Sequence, residues 1–314
     1  MNHSSEDPPA NEKQDHVVKG IGALIAATLL FALQDAITKN LTATVPVAQL
    51  VVIRFFFFAL FALVYASRKQ SLRRAFVSQW PRVQILRGLL ITAEIGLFAF
   101  GLHYMGIAEL HSIFACFPLI ITALSVPLLA EQVGWRRWIA VIIGFIGTLI
   151  IVQPGSAAFS PYALIPIVCA LLYAIYNLLT RKVSRQDSFE TSLLYFGVVG
   201  FISSMLIAPF FWQALDTNEI LWLLMISIIS IFSHLFLIKS LELAPAVILQ
   251  PFNYFILVWA SIIGYSFYDE ILPMTTIIGG LIVVGSGIYI GRREYIQAKQ
   301  LRRQPRKTMY PADV

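Results

Sequence analysis

The sequence has few charged residues and lacks a nucleotide-hydrolysis motif. Asp, Glu, Lys and Arg make up 13% of its 314 residues, whereas hydrophobic residues make up 58%. Soluble domains carry about 25% charged and about 45–50% apolar residues, so a soluble globular fold is excluded. No Gly-x-x-x-x-Gly-Lys-[Ser/Thr] phosphate loop is present, and direct use of ATP through that loop is therefore excluded as well.

Cysteine and clusters of metal ligands are also scarce. Cys116 and Cys169 lie in separate apolar segments, and we interpret them as small buried side chains rather than a redox pair or metal site. No Asp-x-x-Asp or His-x-x-x-His cluster occurs in the apolar segments. An integral-membrane enzyme that modifies lipids would usually need such a cluster, so that class is the less favoured alternative. We expect no metal and no cofactor.

Long apolar runs dominate the chain. A helix needs about 20 apolar residues to cross a bilayer, and ten segments approach this length. The sequence thus predicts an all-α integral membrane protein with ten transmembrane helices. The predicted spans are residues 17–38, 47–66, 83–103, 108–130, 136–153, 161–181, 189–212, 219–239, 245–268 and 273–291.

The basic residues predict the orientation of these spans. Of the 23 Lys and Arg residues, all except Lys39, Arg54 and Arg87 fall on one side of the membrane. Short cytoplasmic loops carry an excess of Lys and Arg, so both termini are predicted to be cytoplasmic in a multi-pass protein of the inner (plasma) membrane. The same bias accounts for the net charge of +6 without a nucleic-acid partner.

The two halves of the chain resemble each other weakly. The segment FALQDAITK at residues 31–39 aligns with YAIYNLLTR at residues 173–181, and Glu131 corresponds to Glu270. Because the unit has an odd number of spans, the second copy must be inverted, as in many secondary transporters. The predicted domains are a disordered cytoplasmic N-terminal tail (1–16), two inverted five-helix repeats (17–153 and 161–291) and a basic cytoplasmic C-terminal tail (292–314).

These features resemble the EamA branch of the drug/metabolite transporter superfamily. The resemblance covers residues 17–291 and rests on the five-helix halves and on residues 118–147 and 251–270. Arg54-Phe-Phe-Phe and Leu86-Arg-Gly-Leu-Leu are most like a subgroup that imports bulky metabolites such as S-adenosylmethionine and riboflavin. The resemblance implies a secondary transporter that moves a small organic metabolite by alternating access. An exporter of amino acids or drugs with the same fold remains an alternative.

Ionisable residues inside the spans are candidates for a substrate site, because charge is costly in hydrocarbon. Glu94 lies near the middle of the third span, and Arg87 lies two turns earlier on the same face. We expect both to line one cavity, with Arg54 nearby. Glu94 is either a proton-coupling site, a counter-ion for a cationic substrate, or a structural partner of Arg54 or Arg87. Asp35, a second coupling candidate, and His111 share a similar depth, which permits either pairing across the cavity mouth or a plain surface role.

Aromatic and amide side chains complete the predicted substrate site. As a set they favour a flat or aromatic metabolite over a simple ion, although each of them could instead only pack. These residues are Tyr104, Tyr173, Asn177, Gln250, Asn253, Tyr254 and Trp259. The expected partners are a small-molecule substrate, a coupled proton or exchanged solute, and the lipid bilayer, with the chain acting as a monomer or homodimer.

Three further features are interpreted as structural. Prolines in the fourth and ninth spans, including Pro118, predict broken helices around the site. Glu131 and Glu270 are expected to accept amide hydrogens at the start of the helix that follows each of them. The glycines of the fifth and tenth spans, including Gly147 and Gly279, are expected to allow close helix packing.

Overall fold

A computed structural model describes residues 10–129, 134–153, 160–183, 186–243 and 252–303 of the chain. Within these ranges all regular structure is helical, and short 3₁₀ turns at Pro161–Ala163 and Ala208–Phe211 precede α8 and follow α9. The α-helices are α1 (Ala10–Leu41), α2 (Val47–Lys69), α3 (Leu72–Ala75), α4 (Pro81–Tyr104), α5 (Ile107–Phe114), α6 (Phe117–Leu129), α7 (Trp135–Val152), α8 (Leu164–Val183), α9 (Phe189–Met205), α10 (Thr217–Leu243), α11 (Phe255–Tyr268) and α12 (Met274–Arg303).

Most of these helices are strongly apolar. By length and composition, five described stretches could each cross a membrane: Val18–Leu41, Val47–Lys69, Pro81–Tyr104, Pro161–Thr180 and Thr217–Leu237. Five further apolar stretches are shorter: Ile107–Ile121, Trp138–Val152, Phe189–Met205, Phe255–Tyr268 and Met274–Tyr289. Each predicted span therefore has an apolar helical counterpart in the described part of the chain.

The fourth predicted span is broken in its middle. α5 ends at Phe114, and α6 begins at Phe117 after a turn at Ala115 and Cys116. Pro118 lies in the first turn of α6, where its missing N–H leaves no helical hydrogen bond unmade. The predicted break is confirmed at Pro118, whereas α6 continues as a helix through Pro127, the second proline of this span. Pro245 and Pro251 of the ninth span lie outside the described residues.

The terminal helices extend further than the sequence predicts. α1 begins at Ala10, inside the predicted disordered tail, and α12 continues to Arg303, inside the predicted basic tail. Both extensions are rich in Glu, Lys, Gln and Arg, which have high helix propensity and continue a helix that is already nucleated.

Helices of the two halves pack mainly against each other. The main pairs are α1 with α10, α4 with α8, α2 with α9, and α7 with α12. Lesser pairs are α2 with α10, α4 with α9, α1 with α11, and α6 with α8. The helices of the two halves correspond in chain order: α1 to α8, α2 to α9, α4 to α10, α6 to α11 and α7 to α12. When each helix is replaced by its counterpart, the same set of packed pairs results. Corresponding helices of the two halves therefore have corresponding packing partners.

Glycine allows the closest of these helix contacts. A Cβ atom on Gly279 of α12 would lie 2.6 Å from the carbonyl oxygen of Gly147 in α7, and a Cβ on Gly147 would lie 2.9 Å from that of Gly279. Neither position can hold a larger residue without moving backbone. The expectation that glycines in these two spans permit close packing is confirmed.

A hydrogen-bond network joins the halves near the start of α4. The Asp187 carboxylate accepts hydrogen bonds from Ser78 Oγ (2.5 Å), the Gln79 backbone N–H (2.8 Å) and Gln84 Nε2 (2.8 Å). Partial burial alone would raise the pKa of Asp187, but these donors outweigh it and hold the pKa below its ordinary value. The carboxylate form is therefore the one that stabilises this junction.

Removing this carboxylate should lower stability in a pH-dependent way. A group whose pKa is lower in the folded state stabilises the fold above its ordinary pKa, about 4 for aspartate. We expect Asp187→Ala to cost on the order of 1 kcal/mol at pH 7, and the loss to shrink as the pH falls below about 4. Thermal unfolding in detergent at both pH values measures this. Ser78→Ala removes one donor and should give a smaller loss; an equal loss at both pH values would contradict the prediction.

Candidate functional site

A cavity of about 230 Å³ lies between the two halves. Its walls come from α1, α2, α4, α5, α6, α8, α9, α10 and the segment that contains Asn253 and Tyr254. Phenylalanine and tyrosine rings form much of the surface, including those of Phe31, Phe114 and Tyr173. Among the described residues, acidic and basic side chains also line it: Asp35, Arg54, Glu94, His111 and His234. A mostly apolar pocket with a few convergent polar groups is the usual form of a small-molecule site.

The side chains of Asp35 and His111 contact each other in the wall of this cavity. His111 Nε2 lies 2.9 Å from Asp35 Oδ2, and both residues are buried. Asp35 comes from α1 of one wall, while His111 comes from α5 just before the helix break. The two side chains pair and are buried, as the first alternative from the sequence requires, so they do not have the plain surface role.

Glu94 projects from α4 into the cavity without a protein partner. The residue is only 6% exposed, yet within the described ranges no group donates a hydrogen bond to its carboxylate and no cation lies within 4 Å of it. Arg54 of α2 is also buried, and its guanidinium reaches Ser230 Oγ at 3.5 Å. A salt bridge between Glu94 and Arg54 is therefore not part of the described structure. Both side chains line the same cavity.

Arg87 does not line the cavity, contrary to the sequence prediction. Its guanidinium donates hydrogen bonds to the Ser192 carbonyl oxygen (2.6 Å) and Thr180 Oγ1 (3.3 Å), and it lies 5.5 Å from the centre of the Tyr176 ring. The long side chain extends to acceptors on α8 and α9, although its Cα lies on the same helix face as Glu94. Arg87 therefore holds three helices together.

The predicted aromatic and amide residues divide into two groups. Tyr173, Asn253 and Tyr254 line the cavity. The others do not: Tyr104 stacks on Tyr162 at 4.2 Å, Asn177 donates to the Tyr173 carbonyl oxygen, and Trp259 packs against an apolar cluster of α5, α8 and α11. Gln250 lies outside the described residues.

The sequence analysis missed Gln34 of α1, which lines the cavity. His234 of α10, one of the ionisable candidates within the spans, also lines it, and its Nδ1 lies 2.8 Å from the Ser230 carbonyl oxygen. Gln34 belongs to a stripe on α1 with Phe31, Asp35 and Thr38, which all line the cavity. Three polar residues at i+3, i+4 and i+7 from Phe31, on one face of an apolar helix, were the available signal.

Several polar atoms around the cavity have no hydrogen-bond partner in the described residues. They are Gln34 Oε1, Arg54 Nε, His111 Nδ1 and Tyr254 Oη. Buried polar groups normally have partners, and all four of these residues line the cavity. Within the described ranges no group of three His, Cys, Asp or Glu could hold a metal ion. Cys116 and Cys169 are buried and free, as the sequence predicts.

Glu270 accepts a hydrogen bond from the first residue of a helix, but this helix is α5 and not α12, which follows Glu270 in the sequence. Its Oε1 accepts hydrogen bonds from the Ile107 N–H (3.1 Å), the first residue of α5, and from Lys39 Nζ (2.6 Å). The carboxylate crosses to the other half because α11 packs against α5 there. This corrects the expectation that Glu270 accepts from α12. Glu131 lies outside the described residues.

Comparison with known proteins identifies relatives along nearly the whole chain. An S-adenosylmethionine uptake transporter of Rickettsia prowazekii is 24% identical over 280 residues, which cover 89% of this chain and 95% of that protein. A riboflavin transporter of Vibrio cholerae is 26% identical and covers 91% and 97%. A pseudopaline exporter of Pseudomonas aeruginosa is 23% identical and covers 88% and 98%.

A solved crystal structure has the same fold. It aligns with 92% of this chain and 99% of its own, with a TM-score of 0.61 at 16% identity. The model of the EamA-like transporter family matches residues 18–153 and again residues 160–292. The chain therefore belongs to the EamA-like transporter family and is a multi-pass membrane transporter rather than an enzyme.

Proposed function

We propose that this protein is a secondary transporter that carries a bulky organic metabolite across the inner membrane by alternating access. The substrate we propose is cationic or contains a flat ring system, with S-adenosylmethionine and flavins as the leading examples. The observation that carries this proposal is the Glu94 carboxylate, buried and unpartnered at the wall of an aromatic cavity. A cationic group of the substrate would lie against Glu94, and an anionic group against Arg54.

The electrostatics of the cavity favour an organic cation or zwitterion over a simple anion. Asp35 and Glu94 carry acidic groups and Arg54 carries the guanidinium, while His111 already contacts Asp35. Phe114, Phe117 and Tyr173 form a ring cluster with centroids 5.0–5.5 Å apart. Such rings bind flat groups by stacking and cations by their faces. Both interactions suit a large aromatic cation better than a bare ion.

The cavity must widen to accept such a substrate. Its volume of about 230 Å³ lies below the range of about 300–1,000 Å³ common for sites of drug-sized ligands. A rocking motion between the halves would supply the space, because the cavity lies at their interface. Binding and conformational change would then be linked, as alternating access requires.

We further propose ten membrane spans in two inverted five-helix repeats, with both termini in the cytoplasm. The exchange pattern of the helix pairs supports the repeat, since an approximate twofold axis in the membrane plane would produce it. The two matches of one family model, at residues 18–153 and 160–292, support the same division. The basic residues support the orientation.

Reconstitution into proteoliposomes tests the proposed function. We expect radiolabelled S-adenosylmethionine or riboflavin to enter vesicles that contain the protein, and to be recovered chemically unchanged. A thermal-shift assay should show stabilisation of about 3 kcal/mol by the true substrate at a concentration 100-fold above its Kd. Failure of a panel of cationic, flavin-like and amino-acid-like metabolites both to bind and to move would contradict the proposal.

The direction of transport is tested in the same proteoliposomes. The similarity to a pseudopaline exporter supports export of a zwitterionic, amino-acid-derived metabolite as a second candidate. Preloaded vesicles measure efflux and empty vesicles measure uptake, with a proton gradient of either sign imposed. Accumulation driven by an inward proton gradient would support coupled import, whereas accumulation that requires preloaded solute would support exchange.

A further inference from the structure

An ion pair between Lys39 and Glu270 joins the two halves next to the cavity-lining residues Asp35 and Thr38. Lys39 of α1 lies one turn beyond Asp35, and its Nζ donates to Glu270 Oε1 at 2.6 Å and to the Met105 carbonyl oxygen at 2.8 Å. Glu270 follows α11 of the other half, and it also accepts the Ile107 N–H. The Glu270 carboxylate thus contacts the end of α1 and the start of α5, and Lys39 in turn contacts the residue that follows α4.

The surroundings of this pair are shaped to hold the carboxylate. A Cβ on Gly264 would lie 2.6 Å from Glu270 Oε2, and a Cβ on Gly106 would lie 2.9 Å from the same atom. Asp269 adopts a left-handed backbone conformation (φ 51°), which ends α11 and turns Glu270 toward α5. Tyr268 lies under the Lys39 ammonium at 5.2 Å and donates its hydroxyl to the Ala36 carbonyl oxygen. The contacts of Lys39 with Glu270 and Tyr268, of Glu270 with the Ile107 N–H, and of Tyr268 with the Ala36 carbonyl oxygen join the two halves, so they break if the halves move apart.

The chemistry of the pair suits a contact that opens and closes. The side chains of Lys39 and Glu270 are 20% and 15% exposed, so both charges are largely dehydrated in the closed form. Their attraction is offset by the loss of hydration, and both regain water when they separate. The closed and open forms can then be similar in free energy, which a two-state element requires. An apolar seal of equal area would favour the closed form more strongly.

We propose that Lys39, Glu270, the Met105 carbonyl and the Ile107 amide form a gate, here named the outer gate, which controls access to the cavity from the outside. The inference rests on the proposed transport function. The gate connects directly to the site, because Lys39 and Asp35 are one turn apart on α1, and Ile107 and His111 are one turn apart on α5. A substrate that displaces Asp35 from His111 would move both helices that carry the gate.

Cysteine accessibility tests the gate independently of substrate. In a background with Cys116 and Cys169 replaced by alanine, Thr38→Cys places a thiol in the cavity wall next to Lys39; Thr38 is 1% exposed. A membrane-impermeant methanethiosulfonate is added to intact cells. We expect labelling to be at least tenfold faster with Lys39→Met or Glu270→Gln than with the intact pair, because each change removes one charge of the gate.

Two matched variants separate the gate from general damage. Lys39→Arg keeps the ion pair and should keep labelling slow. Gly264→Ala keeps both charges but forces the Glu270 carboxylate to move, and should speed labelling. Each variant must first elute as a single species in size-exclusion chromatography. If Lys39→Met does not fold, Glu270→Gln is used as the charge-removing variant, because its side-chain oxygen can still accept the Ile107 N–H.

The outcomes distinguish the gate from the transport function. Faster labelling from outside in the charge-removing variants, with metabolite binding in detergent unchanged, supports the gate. Equal labelling in all variants, or labelling only from the cytoplasmic side of inverted vesicles, overturns it. If no metabolite of the panel binds the wild-type protein but labelling still depends on the pair, then the proposed substrate class fails and the gate stands.

Discussion

Replacing Glu94 with glutamine is expected to weaken substrate binding by about 10- to 100-fold and to abolish coupled transport, while the protein still folds. The substitution keeps the shape of the side chain and removes its charge. A charge-assisted hydrogen bond to a cationic group contributes about 1.5–3 kcal/mol, and each 1.4 kcal/mol corresponds to about a tenfold change in Kd. Stability should not fall, because the buried carboxylate has no protein partner to lose.

Two transport measurements separate the roles considered for Glu94. If it is a counter-ion, then binding, exchange and net uptake should all fall together. If it couples proton movement, exchange of internal for external substrate should survive while accumulation against a gradient is lost. Binding is measured by equilibrium dialysis, and the two transport modes are measured in proteoliposomes with and without preloaded substrate.

The control is the same substitution away from the cavity. Glu190 lies in the first turn of α9 and is not part of the cavity wall, so Glu190→Gln should leave binding and transport unchanged. Wild-type binding and rates for Glu94→Gln would show that neither role applies. A lower unfolding temperature for Glu94→Gln would indicate a structural role that the described contacts do not contain.

Replacing Gly279 with valine is expected to separate α7 from α12 and cost about 3 kcal/mol or more, the upper range for overpacking. Its Cβ would lie 2.6 Å from the Gly147 carbonyl oxygen and 2.5 Å from Ile151 Cγ1. The first of these is a backbone atom of the facing helix, so the side chain has no rotamer that relieves the clash. Thermal unfolding in detergent and the yield of monodisperse protein measure the effect.

Gly285 of the same helix provides the matched control. A Cβ at that position would meet nothing within 4 Å, so Gly285→Val adds the same volume on α12 without a clash. We expect its unfolding temperature to remain close to that of the wild type. Equal losses for Gly279→Val and Gly285→Val would mean that valine on α12, rather than the contact with Gly147, causes the effect.

Much of the helical arrangement could be predicted because it depends on local sequence. The apolar runs locate the helices, Pro118 predicts the break after α5, and the glycines of the fifth and tenth spans predict a close contact that Gly147 and Gly279 make. These features follow from hydrophobicity and backbone sterics within one or two turns. The positions of long side chains do not follow in this way.

Arg87 shows where helical periodicity reaches its limit. It shares a face of α4 with Glu94, but its flexible side chain reaches acceptors at Thr180 and Ser192. Periodicity places a Cβ and cannot specify where a guanidinium several bonds away finds its partners. The pair of Lys39 and Glu270 is similar, since these residues lie 231 positions apart in sequence, and a single sequence contains no signal for their contact.

The break between α5 and α6 also bears on how tightly the membrane stays sealed. α5 packs mainly against α11, whereas α6 packs mainly against α8 and α7. An unbroken helix would tilt as one rigid rod, so that a movement of its packing contacts near one membrane face would also move those near the other face. Under the proposed alternating-access mechanism, the break at Ala115 and Cys116 would let α5 tilt while α6 keeps its neighbours. One side of the cavity could then open while the other stays closed, which would limit leakage of protons and ions.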